Sequence, residues 1–372
     1  MGMRKRYVGL LLNLTLAAFA LALTLAATEA ALHVLAPNED NNSGHLYNLE
    51  WNRDCAKPCM LPHARAVHRG VPITTNAYGL RDVEIAVPKP SGTYRILMVG
   101  DSFVFGQGVP QLSQTIPKQL EAKLAGAAER RVEVINFGVC GLNTFQEFMM
   151  YVQQGRRFEP DLVLLVWIPF DHELNGYRYE DLDYFLRHRT LPHDGSAPAT
   201  SGAAAAGRAR RMGLGERLER TYTVMYFGRR LKSVLMKWGF NLNRYEEAQH
   251  SDIGSEGYRL MYASLKSFAE TCAAEGVPFE TVLFPGLQTL DSDHYQRLIY
   301  SKIETYCGAH GIRCFNLFPA FKGKSAERLH VSILDAHPNA EAAAIAADAL
   351  ARHLRPQIPP PSPKPALRAG PS

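Results

Sequence analysis

The stretch YRILMVGDSFVFGQGVP, residues 94–110, joins an apolar run directly to a polar turn. Ile96, Leu97, Met98 and Val99 stop at Gly100, and Asp101 and Ser102 follow at once. An uninterrupted apolar run is the mark of a strand covered on both faces, as in a parallel sheet. The turn then leaves a serine at the carboxyl edge of that sheet, where ligands sit in open α/β folds. Gly106 and Gly108 loosen the backbone before a helix predicted from about residue 111. A Gly-Asp-Ser turn alone is an ordinary strand-to-helix connection, and its weight comes from later segments that supply partners for such a serine.

Those segments repeat the pattern. VEVINF (132–137) reads as a second strand and leads into Gly138, Val139, Cys140, Gly141, Leu142 and Asn143. The Phe- and Met-rich helix predicted at 144–154 faces a core rather than a cofactor. LVLLVWI (162–168) is a third strand and ends at Pro169, Phe170, Asp171 and His172. Strands at 279–284 and 313–318 alternate with helices at 111–128, 255–275, 292–309 and 340–353. Apolar strands alternating with helices predict a flavodoxin-like three-layer α/β/α sandwich around a five-stranded parallel sheet.

The domain is expected over residues 91–355, after an irregular lead-in at 35–90 in which 73–80 is read as a short strand and turn. An Ala/Gly/Ser/Pro-rich, basic insert at about 186–250 interrupts it, beginning as a flexible excursion. The amphipathic residues from 214 to 240 form either a helix packed on the domain or a cap or membrane-surface helix. A Pro-rich tail at 356–372 is expected to be disordered.

The amino terminus places the chain at a membrane. Arg4, Lys5 and Arg6 precede residues 7–27, which carry no charge. A helix of that length spans about 30 Å, the thickness of a bilayer core. It is an uncleaved anchor or, with small residues near Ala26 and Ala30, a cleaved signal. The basic flank stays in the cytoplasm and residues beyond 34 lie on the other side, so the expected location is a cell inner membrane, single-pass, with the domain on the periplasmic or extracytoplasmic side. Within 372 residues, 46% hydrophobic, a net charge of +5 without a basic block interleaved with aromatics argues against a nucleic-acid partner. Six cysteines suit an oxidising compartment and allow 15 pairings. Cys55 and Cys59 are close enough for a small loop disulfide, and Cys272, Cys307 and Cys314 for another. No His/Cys pair lies near Cys55 and Cys59 to complete a metal site, and no cofactor is expected.

Acyl transfer through serine requires a nucleophile, a base, a group orienting the base, and donors for the oxyanion. Ser102 sits where the nucleophile belongs. His337 falls in the last loop before the last helix, where a doubly wound sheet returns to its carboxyl edge, and Asp335 is two residues away. In this combination and order the chain resembles the SGNH/GDSL hydrolase superfamily over roughly residues 94–354, apart from the insert. Gly100-Asp101-Ser102 resembles the first family block, residues 136–143 the second, and Asp335 with His337 the last. The lead-in motif NAYGLR (76–81), with the membrane segment, is similar to a membrane-tethered bacterial branch. The resemblance implies catalysis by Ser102, His337 and Asp335, with an oxyanion hole from Ser102, Gly141 and the third block. There the family has an asparagine, and this chain has Asp171. An ionised carboxylate at that place repels an oxyanion and donates only when protonated. Asn143 and Asn175 are the alternative donors. The last block is also one residue shorter than the commoner Asp-x-x-His. The implied activity is hydrolysis of carboxylic esters, with O-acetylated carbohydrate or a lipid as substrate. An acetyltransferase or deacetylase of envelope polysaccharide and a catalytically impaired binding module are the alternatives.

Overall fold

The computed structural model describes residues 2–35, 60–125, 130–169, 171–172, 177–188, 255–287, 290, 293–332 and 335–360. Expectations for the Cys55/Cys59 pair, Asn175, nearly all of the insert and most of the tail fall outside these residues.

Five strands form one parallel sheet: β3 (Thr93–Gly100), β4 (Arg131–Gly138), β5 (Leu162–Trp167), β6 (Phe279–Leu283) and β7 (Arg313–Asn316). Their spatial order is β4-β3-β5-β6-β7. The chain winds outward from β3 to β4, then crosses back over β3 to continue through β5, β6 and β7. This reversal opens a crevice between the carboxyl ends of β3 and β5, the place where doubly wound sheets bind ligands.

Every residue of β3 and β5 is buried, because alternate side chains serve two separate cores. Leu97, Val99, Val163, Leu165 and Trp167 face one core, together with helices α4 (Thr144–Gln153) and α6 (Glu256–Ala274). Ile96, Met98, Leu162, Leu164 and Val166 face the other, with α3 (Ile116–Leu124) and α10 (Ala340–Leu354). Each fully buried aliphatic side chain contributes about 1.5–3 kcal/mol, which explains why these runs carry no polar interruption.

The lead-in is more ordered than its composition suggested. Its described part forms an antiparallel hairpin, β1 (Arg65–His68) with β2 (Val71–Thr74), whose Ala66, Val71 and Ile73 join the first core. Its strand thus lies at 71–74, ahead of the expected position, and ends at a turn held by Asn76, whose Oδ1 accepts from the backbone N–H groups of Tyr78 and Leu80. Arg81 and Asp82 then tie this segment to the sheet. Arg81 donates to the carbonyls of Phe105, Gly106 and Val109, and Asp82 accepts from the backbone N–H of Asn136 at 2.8 Å and pairs with Lys118.

Two further differences concern local geometry. The helix expected from about residue 111 starts at Ile116, because residues Leu112–Gln114 form a 3-10 turn. A one-turn helix not expected from the sequence, α2 (Ser102–Phe105), begins at the serine itself, ahead of Gly106 and Gly108, which turn the backbone at positive φ. Gly138 makes room for it: a Cβ there would lie 2.2 Å from the Phe105 nitrogen and 2.7 Å from the Val104 carbonyl carbon. Gly138→Ala must displace backbone, so it is expected to destabilise the fold by about 1–3 kcal/mol. An unchanged urea midpoint would show that α2 is not held against β4 in this way.

At the amino terminus, α1 (Gly2–Leu35) contains a stretch, Asn13–Ala31, long and apolar enough by length and composition to cross a membrane, with a mean hydropathy of 1.7. Its Thr24 and Thr28 hydroxyls donate to carbonyls one turn back, at 2.8 Å each, so neither hydroxyl is left unsatisfied. The four described cysteines, Cys140, Cys272, Cys307 and Cys314, are free thiols, so the second expected disulfide is not formed; Cys307 and Cys314 instead share a side-chain hydrogen bond.

Candidate active site

Three loops at the carboxyl edge bring the site together. After β3, Asp101 caps α2 by accepting the Phe103 N–H at 2.9 Å, which fixes Ser102 at the first helical position. At the far end of the chain, Asn339 caps α10 by accepting from Glu341 and Ala342. The same amide donates to the carbonyls of Arg328 and His330, and the Val331 N–H donates to His337 O. The loop between is therefore pinned at both ends, and it presents Asp335 and His337.

Ser102 Oγ lies 2.9 Å from His337 Nε2. His337 Nδ1 makes a very short hydrogen bond to Asp335 Oδ1, which also accepts the backbone N–H of His337 at 3.0 Å. Burial would raise the Asp335 carboxyl, but the hydrogen bond and charge of His337 outweigh it and hold the pKa at about 2. Its stabilising contribution is present above the ordinary 3.8 and is lost only as pH falls toward 2. Ser102 is 6% exposed, and Phe103 packs edge-on against the His337 ring. The serine has one proton and a second acceptor, Asp101 Oδ2, also at 2.9 Å. Burial pushes the Asp101 carboxyl up, against the Phe103 N–H and the charge of His337.

The remaining expected residues occupy neighbouring loops. Gly141 has φ +72°, a left-handed turn after β4 that a side chain would strain. That turn is anchored to the serine loop through the Val139 N–H, which donates to Gly100 O at 3.1 Å. Asp171 is buried after β5, and its Oδ2 accepts the Ile168 N–H at 2.8 Å. Asn143 is engaged in a capping box at the start of α4, where its Oδ1 accepts the Gln146 N–H.

Four residues near the site had no functional reading in the sequence. Gln107 bridges His337 Nδ1 (3.1 Å) and His68 Nε2 (3.3 Å), and Cys140 Sγ lies 3.7 Å from the same His68 nitrogen. Nothing in the sequence singles these three out, since a lone His in a short strand is no signal. The fourth is Glu147 on α4, fully buried, with no hydrogen-bond partner for either carboxyl oxygen among the described residues. Burial, reinforced by the charge of Asp101, pushes its pKa well above the ordinary 4.5. The unfolded chain therefore releases a proton above 4.5 that the folded chain keeps. Stability then falls with rising pH, by up to about 1.4 kcal/mol per unit. Glu147→Gln removes this titration, so its Tm advantage is expected to widen from pH 5 to pH 8, reaching about 5 °C. A gap that does not change with pH would contradict the assignment.

No family model matches the chain. No curated protein is similar to it either. Among solved structures it is similar to a lipase/acylhydrolase from Enterococcus faecalis, at 10% identity over 72% of this chain and 99% of that one, with a TM-score of 0.39. It is also similar to the psychrotrophic esterase EstA from Pseudoalteromonas sp., at 14% identity, covering 71% and 97%, with a TM-score of 0.37. A third is a member of the lipolytic protein G-D-S-L family from Veillonella parvula, at 11% identity, covering 70% and 97%, with a TM-score of 0.36.

Proposed function

We propose that the chain is a membrane-anchored serine esterase of the SGNH/GDSL type, hydrolysing carboxylic esters on the extracytoplasmic side. The observation that carries this reading is the unbroken hydrogen-bonded series Ser102–His337–Asp335 at the switch point of the sheet. Ser102 Oγ attacks the ester carbonyl while His337 Nε2 takes its proton. Asp335 holds the proton-bearing Nδ1 and stabilises the imidazolium. The carbonyl oxygen becomes an oxyanion that the backbone N–H groups of Ser102 and Gly141 receive, with Asp171 in the third position. Collapse expels the alcohol, which takes the proton from Nε2 and leaves an acyl group on Ser102. Water then enters by the same route, and the carboxylic acid leaves. These residues complete the cycle without a cofactor.

The anchor is α1, with Arg4, Lys5 and Arg6 on the cytoplasmic side. A short acyl group, such as O-acetyl on envelope carbohydrate, is the substrate class that the family resemblance favours. The full-length protein in detergent micelles is expected to hydrolyse p-nitrophenyl acetate, and Ser102→Ala to lose at least about 10³-fold in kcat/KM. Equal rates for both proteins would sink the reading. Acetyl transfer to an added oligosaccharide exceeding hydrolysis would replace it with an acetyltransferase.

A further inference from the structure

The amide of Gln107 lies between two imidazoles, with its Nε2 position 3.1 Å from His337 Nδ1 and its Oε1 position 3.3 Å from His68 Nε2. Which end of an amide is oxygen follows from the hydrogen-bond network. Nδ1 of His337 carries its proton toward Asp335 and has no lone pair to offer, so an NH₂ group facing it would set donor against donor. With the amide turned half round, its oxygen accepts from Nδ1–H alongside Asp335, and its NH₂ donates to His68 Nε2. That pairing requires a bare Nε2 on His68.

The surroundings of His68 favour this state. It is 7% exposed, and Phe105 lies edge-on to its ring. The charged or titratable groups acting on it are Arg69, Arg81 and His337, with the Cys140 thiol at 3.7 Å. Burial lowers its pKa, and the charges of Arg69 and Arg81 add to that effect. His68 comes from the lead-in hairpin, Gln107 from the loop after α2, and His337 from the last loop, so the arm joins three parts of the chain.

Building on the Ser102–His337–Asp335 reading, we propose that Gln107 is a positioning residue for His337. Its amide oxygen is a second acceptor for the Nδ1 proton, and neutral His68 fixes the amide in that orientation. The arm restrains rotation of the His337 ring and shares the proton of the imidazolium once it forms.

Two measurements test this on the full-length protein in micelles. In ¹⁵N-histidine spectra near pH 7, with His68 assigned by its disappearance in His68→Phe, the His68 ring is expected to be protonated on Nδ1 and bare on Nε2. A proton on Nε2 overturns the proposal whatever the variants do. The second is the rate of inactivation by a fluorophosphonate. Gln107→Met is expected to be about five- to tenfold slower, one hydrogen bond's worth. Gln107→Glu, which keeps an acceptor, should match or exceed wild type. The double variant His68→Phe/Gln107→Met should be no slower than Gln107→Met alone. A Gln107→Met rate equal to wild type, a Gln107→Glu rate as slow as Gln107→Met, or additive effects would overturn it. If wild type does not react at all, the esterase reading falls, and the imidazole spectrum alone decides for or against the arm.

Discussion

Asp335→Asn is expected to slow turnover of a short activated ester by about 10⁴-fold with the fold intact. The carboxylate is held at about 2 by His337, so throughout the neutral range it is a fixed anion against Nδ1. An asparagine can turn its NH₂ toward that nitrogen, which moves the imidazole proton to Nε2. Nε2 then faces Ser102 Oγ as a donor and no longer accepts the serine proton. KM should change little, because neither tautomer alters the substrate-binding surface, and the loss should appear in kcat. The tautomer change is visible separately in the ¹⁵N spectrum of His337. A variant within tenfold of wild type would mean that Asp335 does not orient the base.

The second large effect has the opposite sign. Asp171→Asn should raise kcat, by up to about 10²–10³-fold, the usual worth of one oxyanion donor. The structure provides a mechanism for this gain. Oδ2 of Asp171 is already taken up by the Ile168 N–H at 2.8 Å. An asparagine places its oxygen on the same N–H, and its NH₂ then replaces the other carboxyl oxygen, converting an acceptor into a donor without changing shape. Unchanged or lower turnover would show that Asp171 stands outside the oxyanion hole.

The sheet was legible because β3 and β5 supply alternate residues to two cores, which leaves an unbroken apolar run in the sequence. The placement of Ser102 and His337 at the carboxyl edge was legible from that topology, since Ser102 directly follows β3 and His337 lies in the loop that leads into the last helix. Boundaries were less legible. The last strand ends at Asn316, two residues short of the expected 318, where Asn316 Oδ1 caps the Phe318 N–H and turns the chain. The hairpin Arg65–Thr74 was hidden because its strands are four residues each and its exposed positions carry Arg, Val, Pro and Thr, without a clean polar alternation. Gln107, His68 and His337 are separated by 39 and 230 positions, and nothing in local spacing predicts that one amide joins them. Glu147 was unreadable for a different reason: a glutamate on a predicted helix is ordinarily solvated, and only the packing reveals it as buried.

The most direct test of the central assignment, Ser102 activated by His337, is fluorophosphonate labelling of the full-length protein followed by peptide mapping. Stoichiometric phosphonylation on Ser102, absent in Ser102→Ala and strongly slowed in His337→Gln, is the predicted result. A folded wild-type protein that takes up no label, or takes it up at another residue, would contradict the assignment and turn attention to a binding role for the same fold.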